Sequence, residues 1–189
     1  SVAVEQHTDS EVNIDLQQHV KDVVNTVKTL FKQKKYQINI DVDKNISVLT
    51  YPSAWNQILT NFLMNSHLHG FEDRLKGEIT IEFSESNGYL TLLYSDNGKG
   101  IPEKLKKSIF DPFVTTKRGQ GGTGLGLNIV YNLVAKLKGK PIVFDAHEYF
   151  TEVPEVVNRP LTKSIWTFLG NWLIPKVDAA YTVSASLQE

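Results

Sequence analysis

Residues 95–126 read SDNGKGIPEKLKKSIFDPFVTTKRGQGGTGLG, and this one stretch holds seven of the chain's twelve glycines. Glycine marks turns and helix caps more often than ligand sites, so DNGKG or RGQGGTGLG is weak evidence by itself. The flanks give the two clusters a setting. On the N-terminal side Ile79, Ile81 and Phe83 alternate with polar residues, Asn87-Gly88 follows, and Leu90, Leu92 and Tyr94 alternate again. That pattern predicts a β-hairpin running into Asp96. On the C-terminal side Ile129, Val130, Leu133, Val134 and Leu137 recur at helical spacing from about Leu125 and stop at Gly139 and Pro141, so the second cluster opens a helix.

Working outward, Leu16, Val20, Val23, Val24, Val27, Leu30 and Phe31 have the three-and-four spacing of an amphipathic helix, with Asp15 where a cap belongs. Ile38, Ile40 and Val42 alternate as in a half-buried strand, and a short strand is expected around Val48. A second helix begins near Pro52 or Ser53, carries Trp55, Ile58, Leu59, Phe62, Leu63 and Ser66 on one face, and ends near Gly70. PIVF, 141–144, reads as a strand. Past about His147 the stretch EYFTEVPEVVNRPLTKSIWTFLGNWLIPK has apolar content without a period, and VDAAYTVSASLQE reads as a loosely held tail.

The whole chain has 189 residues, 41% hydrophobic and 22% charged, enough to bury a core of its own. Twenty Lys and Arg against 21 Asp and Glu leave a net charge of −1, which provides no overall field to attract nucleic acid or an anionic membrane. The absence of cysteine removes disulfide scaffolds, zinc ribbons and thiol nucleophiles together. No apolar run approaches the roughly 20 residues that span a bilayer, and the opening SVAVEQHTDSE lacks the pattern of a signal peptide. These features are expected of a soluble, cytoplasmic piece of a longer protein.

Four constellations carry chemistry. NFLMN places Asn61 and Asn65 four apart on one helix face; they are either a polar edge or amide oxygens for a magnesium ion held between phosphates. Asp96 with Gly98 and Gly100 is either a turn or a carboxylate aimed at an adenine amino group, with glycines that let the backbone approach the ring. IFDPFVTTK, 109–117, is either a packed loop or the hinge of a lid, with Phe110 and Phe113 as anchors and Lys117 reaching a terminal phosphate. GGTGLGLNIV, 121–130, presents backbone N–H groups and a helix dipole to anionic oxygens; it lacks the GK[ST] of a P-loop.

In this order and rough spacing the four resemble the N, G1, F and G2 boxes of the catalytic ATP-binding domain of sensor histidine kinases, in the superfamily shared with gyrase B, Hsp90 and MutL. The resemblance covers about Asp15 to Phe144. It implies a Bergerat-type α/β fold: a two-layer sandwich whose mixed, mostly antiparallel sheet is covered by helices, with a lid at about Ile101 to Gly122. It divides the chain into a linker from an upstream domain (1–14), the ATP-binding domain (15–146) and a divergent extension (147–189) that either completes the sheet before a loose tail or stands apart from it. It implies ATP and Mg²⁺ as cofactors. Asn65 becomes the metal ligand, with Asn61 beside it and Lys117 as a phosphate contact. Asp96 becomes the adenine reader, and Gly98, Gly100, Ile101, Phe110, Thr115, Thr116, Gly122, Thr123, Gly124, Leu125, Gly126 and Leu127 the nucleotide-binding set.

The sequence departs from the pattern at Leu68 and His69, where a basic residue and an aromatic are usual, so His67, His69 and Arg74 are either substitute cations or ordinary surface residues, the surface reading being the default for each. The position four before Asn65 holds Asn61 instead of the Glu of hydrolysing relatives, and an amide is no general base at neutral pH. Such a site suits ATP kept intact for a protein nucleophile. The resemblance then implies a histidine kinase whose acceptor His lies on a separate helical dimerisation domain, in a homodimeric parent anchored in or free of a membrane, with a response regulator downstream. No nucleic acid and no direct membrane contact by this piece are expected. HGFED, 69–73, is similar to anti-sigma-factor serine kinases, and a catalytically silent ATP-binding scaffold is the third reading.

Overall fold

The computed structural model describes residues 10–31, 34–43, 46–86, 88–119, 122–144 and 179–186, the last two strands as backbone only. The aperiodic stretch 148–176 therefore lies outside the described residues. Strand β1 (Val12–Asp15) leads directly into helix α1 (Leu16–Lys28). Asp15 caps that helix by accepting the Gln18 N–H at 2.9 Å, which satisfies one of its open donors. Leu16, Val20, Val23, Val24 and Val27 are buried as their spacing requires, but the stripe does not extend to Leu30. The chain tightens there into a 3₁₀ turn, Thr29–Phe31, which buries Phe31 and leaves Leu30 56% exposed.

Strand β2 (Lys35–Val42) and β3 (Ser47–Thr50) follow, then helix α2 (Pro52–Asn65), with its proline in the first turn. β3 pairs antiparallel with β1 in a small separate sheet, so the last residues before Asp15 are strand rather than linker. The hairpin forms as its alternation predicts, from β4 (Lys76–Ser86) and β5 (Tyr89–Asp96), with Ser86 opposite Tyr89. After a short helix α3 (Glu103–Lys106) come helix α4 (Gly126–Lys136), β6 (Lys140–Phe144) and β7 (Ala179–Ser186).

The main sheet has the order β2-β4-β5-β7-β6, with β2 parallel to β4 and every other pairing antiparallel. β7 overturns the reading of the last residues as a loose tail: it lies inside the sheet, Tyr181 opposite Tyr94 and Val183 opposite Leu92. AAYTVSAS has the period of a strand, but alanine and serine at alternate places erase the hydropathy contrast on which the reading relied.

Helix α2 packs between α1 and α4. Its buried face, Trp55, Ile58, Leu59, Phe62 and Leu63, meets Ile79, Ile81, Phe83, Leu90, Leu92 and Tyr94 of the hairpin in one core. Trp55 stands edge-on to Phe83 at 5.5 Å, and Phe62 lies against Tyr94 at 5.1 Å. At roughly 1.5–3 kcal/mol for each large side chain, this packing fixes α2 firmly over β5. The C-terminal end of α2, the last residue of β5 and the start of α4 consequently converge at one end of the sandwich.

Candidate functional site

At that end α2 runs into a single wider turn, Ser66–Gly70, in which the Phe71 N–H reaches the Ser66 carbonyl at 2.7 Å. Such π-turns recur at functional sites. This one swings Gly70 across the end of β5, where its carbonyl accepts the Lys99 N–H at 3.0 Å. The approach is so close that a Cβ on Gly98 would stand 2.6 Å from the Gly70 Cα, so only glycine fits.

Asp96, buried, is held within this junction. Its Oδ2 accepts from the Ser66 hydroxyl at 2.6 Å and its Oδ1 from the Gly98 N–H at 2.9 Å, while Tyr94 lies 2.8 Å from the same hydroxyl. Asp96 lines a cleft of about 270 Å³. Asn61, Asn65, Gly100, Ile101, Thr115 and Thr116 line it too, as do Gly122, Thr123, Gly124, Gly126 and Leu127. Of the remaining expected residues, Gly98 sits beneath Asp96 and Leu125 caps the start of α4. The Phe110 ring packs on Tyr131 at 5.8 Å, away from the cleft lining.

Two expectations about the lid change. Phe113 anchors nothing with its ring, which is 61% exposed; its backbone does the anchoring, the N–H reaching the Gly124 carbonyl at 2.9 Å. Gly124, at φ +69°, lies so close that a Cβ would be 2.5 Å from the Phe113 carbonyl carbon. Lys117 does not reach openly into the cleft: its ammonium pairs with Glu72, which also pairs with Lys99. Glu72 itself holds a left-handed backbone, φ 36°. Hydrogen bonds from Lys117 and Lys99 pull its carboxyl down to about 2.

The substitute cations do not take the expected place either. Arg74 donates to the Asn97 carbonyl at 2.8 Å, and His67 packs on Phe31 with its Nδ1 2.9 Å from the Tyr36 hydroxyl. His69 does line the cleft, bonded to Thr116 at 2.9 Å, but burial and then the charges of Lys99 and Lys117 push its pKa down, so it is neutral at pH 7. Among the described residues, Lys99 is the cation that lines the cleft. With Met64, Leu68, Leu105, Ile109, Val114 and Ile129 it is a lining residue that sequence reasoning missed. Met64, Leu68 and Ile129 carried a signal, each one turn from an expected site residue, as did Lys99 between Gly98 and Gly100; Leu105, Ile109 and Val114 depend on how the lid folds back.

A family model described as histidine kinase-, DNA gyrase B- and HSP90-like ATPase matches residues 50–160, more than half of the chain. The chain belongs to this ATPase family. Among curated relatives of this ATPase, the autoinducer 2 sensor kinase/phosphatase LuxQ of Vibrio harveyi is 32% identical over 140 residues, 66% of this chain and 16% of LuxQ. The sensory histidine kinase/phosphatase NtrB of Azospirillum brasilense is 37% identical over 112 residues, 58% of this chain and 25% of NtrB. The chain thus spans a quarter or less of the length of these two relatives. Among solved structures, the catalytic domain of histidine kinase ThkA superposes with a TM-score of 0.68 at 18% identity, covering 95% of this chain and 99% of that one. Full-length ShkA in complex with AMPPNP gives 0.66 at 21% identity, covering 95% and 32%. The fold is that of histidine kinase catalytic domains, and the chain is an ATP-binding domain of the two-component sensor kinase type.

The amides of this ATPase suit a divalent ion. Asn61 donates to the Gln57 carbonyl at 2.8 Å, which turns its Oδ1 toward Gly126, 2.9 Å from where a Cβ would stand. The Asn65 Nδ2 is buried with no partner among the described residues, and its Oδ1 faces the same glycine. No group of three His, Cys, Asp or Glu able to hold a metal occurs among the described residues. A site of neutral oxygens fits a magnesium ion whose charge is met chiefly by phosphates and whose shell is completed by water. No helix among the described residues is long and apolar enough to cross a membrane.

Proposed function

We propose that this domain binds ATP with magnesium and positions its γ-phosphoryl group for attack by a histidine on a separate helical domain of the parent protein. One observation carries the reading: a buried carboxylate, Asp96, held by protein donors on both oxygens and facing the cleft. A group that only accepts hydrogen bonds selects a purine whose 6-position donates, which is adenine, and rejects the 6-carbonyl of guanine.

The other residues take their places around that anchor. Ile101, Leu105, Ile109 and Leu127 wall the cleft and exclude water from the base. Asn65, with Asn61 beside it, would hold the ion, which when bound neutralises phosphate charge and fixes the triphosphate. Gly122, Gly124, Gly126 and the N-terminal end of α4 offer backbone N–H groups to the phosphates. In the transfer the γ-phosphorus leaves the bridging oxygen of ADP and bonds to an imidazole nitrogen. Asn61 has no proton affinity to activate water, so hydrolysis stays slow. The parent is proposed to be a cytoplasmic or membrane-anchored homodimer that passes the phosphoryl group to a response regulator.

The test is phosphoryl transfer from ATP to the separately supplied dimerisation domain of the parent, with nucleotide binding measured alongside. Asn65→Ala should abolish the gain in ATP affinity that magnesium provides, roughly tenfold by the worth of a charge-assisted contact. An unchanged magnesium effect would remove Asn65 from the metal site.

A further inference from the structure

We infer that Ser66 is a positioning residue for purine selection, the middle member of a buried relay that runs Tyr94 to Ser66 to Asp96 and sets the edge that Asp96 turns to the cleft. The inference rests on the ATP reading above. It begins with proton bookkeeping. A serine hydroxyl carries one hydrogen, and that hydrogen goes to the Asp96 Oδ2 at 2.6 Å. The 2.8 Å contact between Ser66 and Tyr94 then forms only with the phenol donating. With Asp96 as an ionised acceptor, the relay runs from the phenol through the hydroxyl to the carboxylate.

The fold explains why these three groups meet. Tyr94 and Asp96 are two apart on β5 and point to the same face of the strand. Ser66 faces them as the first residue of the wider turn that ends α2, its carbonyl committed to Phe71. Phe62, one helical turn before Ser66, lies against the Tyr94 ring and holds it. Ser66, Tyr94 and Asp96 are 1%, 0% and 5% exposed.

The last torsion of an aspartate is broad, so its backbone position alone does not define its plane. Gly98 N–H holds one oxygen and Ser66 the other, and two donors on different oxygens define a plane where one leaves a pivot. A carboxylate with a fixed edge discriminates a 6-amino from a 6-oxo purine; one that pivots accommodates both more evenly. Sequence reading placed Ser66 only on the apolar face of α2, and its polar role appears once β5 is set beneath it.

The experiment titrates the chain with ATP and with inosine triphosphate, which carries a 6-carbonyl, in magnesium, and takes the ratio of affinities. The wild type should prefer ATP; if it does not, the ATP reading fails first and the relay falls with it. With that preference present, Ser66→Ala should cut ATP affinity roughly tenfold and pull the ratio toward one. Tyr94→Phe, which keeps the ring and removes the hydroxyl that donates to Ser66, should move the ratio the same way by less, and it serves as the test if Ser66→Ala does not fold. Variants that melt at lower temperature yet keep the wild-type ratio would assign the relay to stability alone and overturn the inference.

Discussion

The two ends of the cleft are built from different interactions. At the end proposed to read the base, Asp96, Ser66 and Tyr94 lie on a strand and at the end of a helix, buried, joined by hydrogen bonds of 2.6–2.9 Å. At the lid end, Glu72 holds Lys99 and Lys117 through ion pairs between partly exposed side chains on loops. Buried, fully paired polar groups are costly to disturb, whereas exposed ion pairs contribute little and exchange readily. The first end is therefore suited to selection and the second to release. Glu72 occupies both lysines as an internal anion, and a triphosphate would compete with it for them.

Breaking the base-reading end should have the largest effect. Asp96→Asn replaces one accepting oxygen by an NH₂ that opposes the adenine amino group, and should lower ATP affinity about 100-fold, or about 3 kcal/mol, by titration calorimetry. Gly124→Ala probes the seam between the glycine loop and the lid. Its left-handed φ and the collision with Phe113 should cost about 1–3 kcal/mol in urea denaturation. Glu72→Gln acts at the lid end alone. It should raise ATP affinity roughly two- to five-fold and steepen its dependence on salt, with the ATP-to-GTP ratio unchanged.

Acid should separate the ends by gentler means. The Glu72 carboxylate is depressed to about 2, so its contribution is complete above the ordinary carboxylate value of 4.5 and is lost only as pH falls through about 2. His19, His67 and His69 are all lowered from 6.5, chiefly by burial. The unfolded chain then binds more protons just below pH 6.5, and stability declines as pH falls through that value. The melting temperature should drop between pH 7 and pH 5 while the Glu72 link persists.

Much of this was legible because it is local. The helical period from Leu16 to Val27, the alternation around Asn87-Gly88 and the glycines before α4 report the conformation of their own segment. The cleft lining followed from the order of four motifs, each of which ends or opens an element. What was not legible depends on partners far along the chain. Glu72 meets Lys99 and Lys117, 27 and 45 residues on, only once the chain has folded back on itself. Tyr94 and Ser66 were both read as apolar-face residues, since a buried hydroxyl pair leaves no periodic trace. β7 was lost to small side chains, and Leu30 to a turn that tightened one residue early.

The central claim is that a buried carboxylate makes this cleft an adenine site served by magnesium. Titrating the wild-type chain with ATP and GTP, each with and without magnesium, tests it most directly. The structure predicts ATP binding that magnesium strengthens and GTP binding weaker by roughly a hundredfold, as expected where a buried acceptor faces a carbonyl. Comparable affinity for the two nucleotides would contradict it.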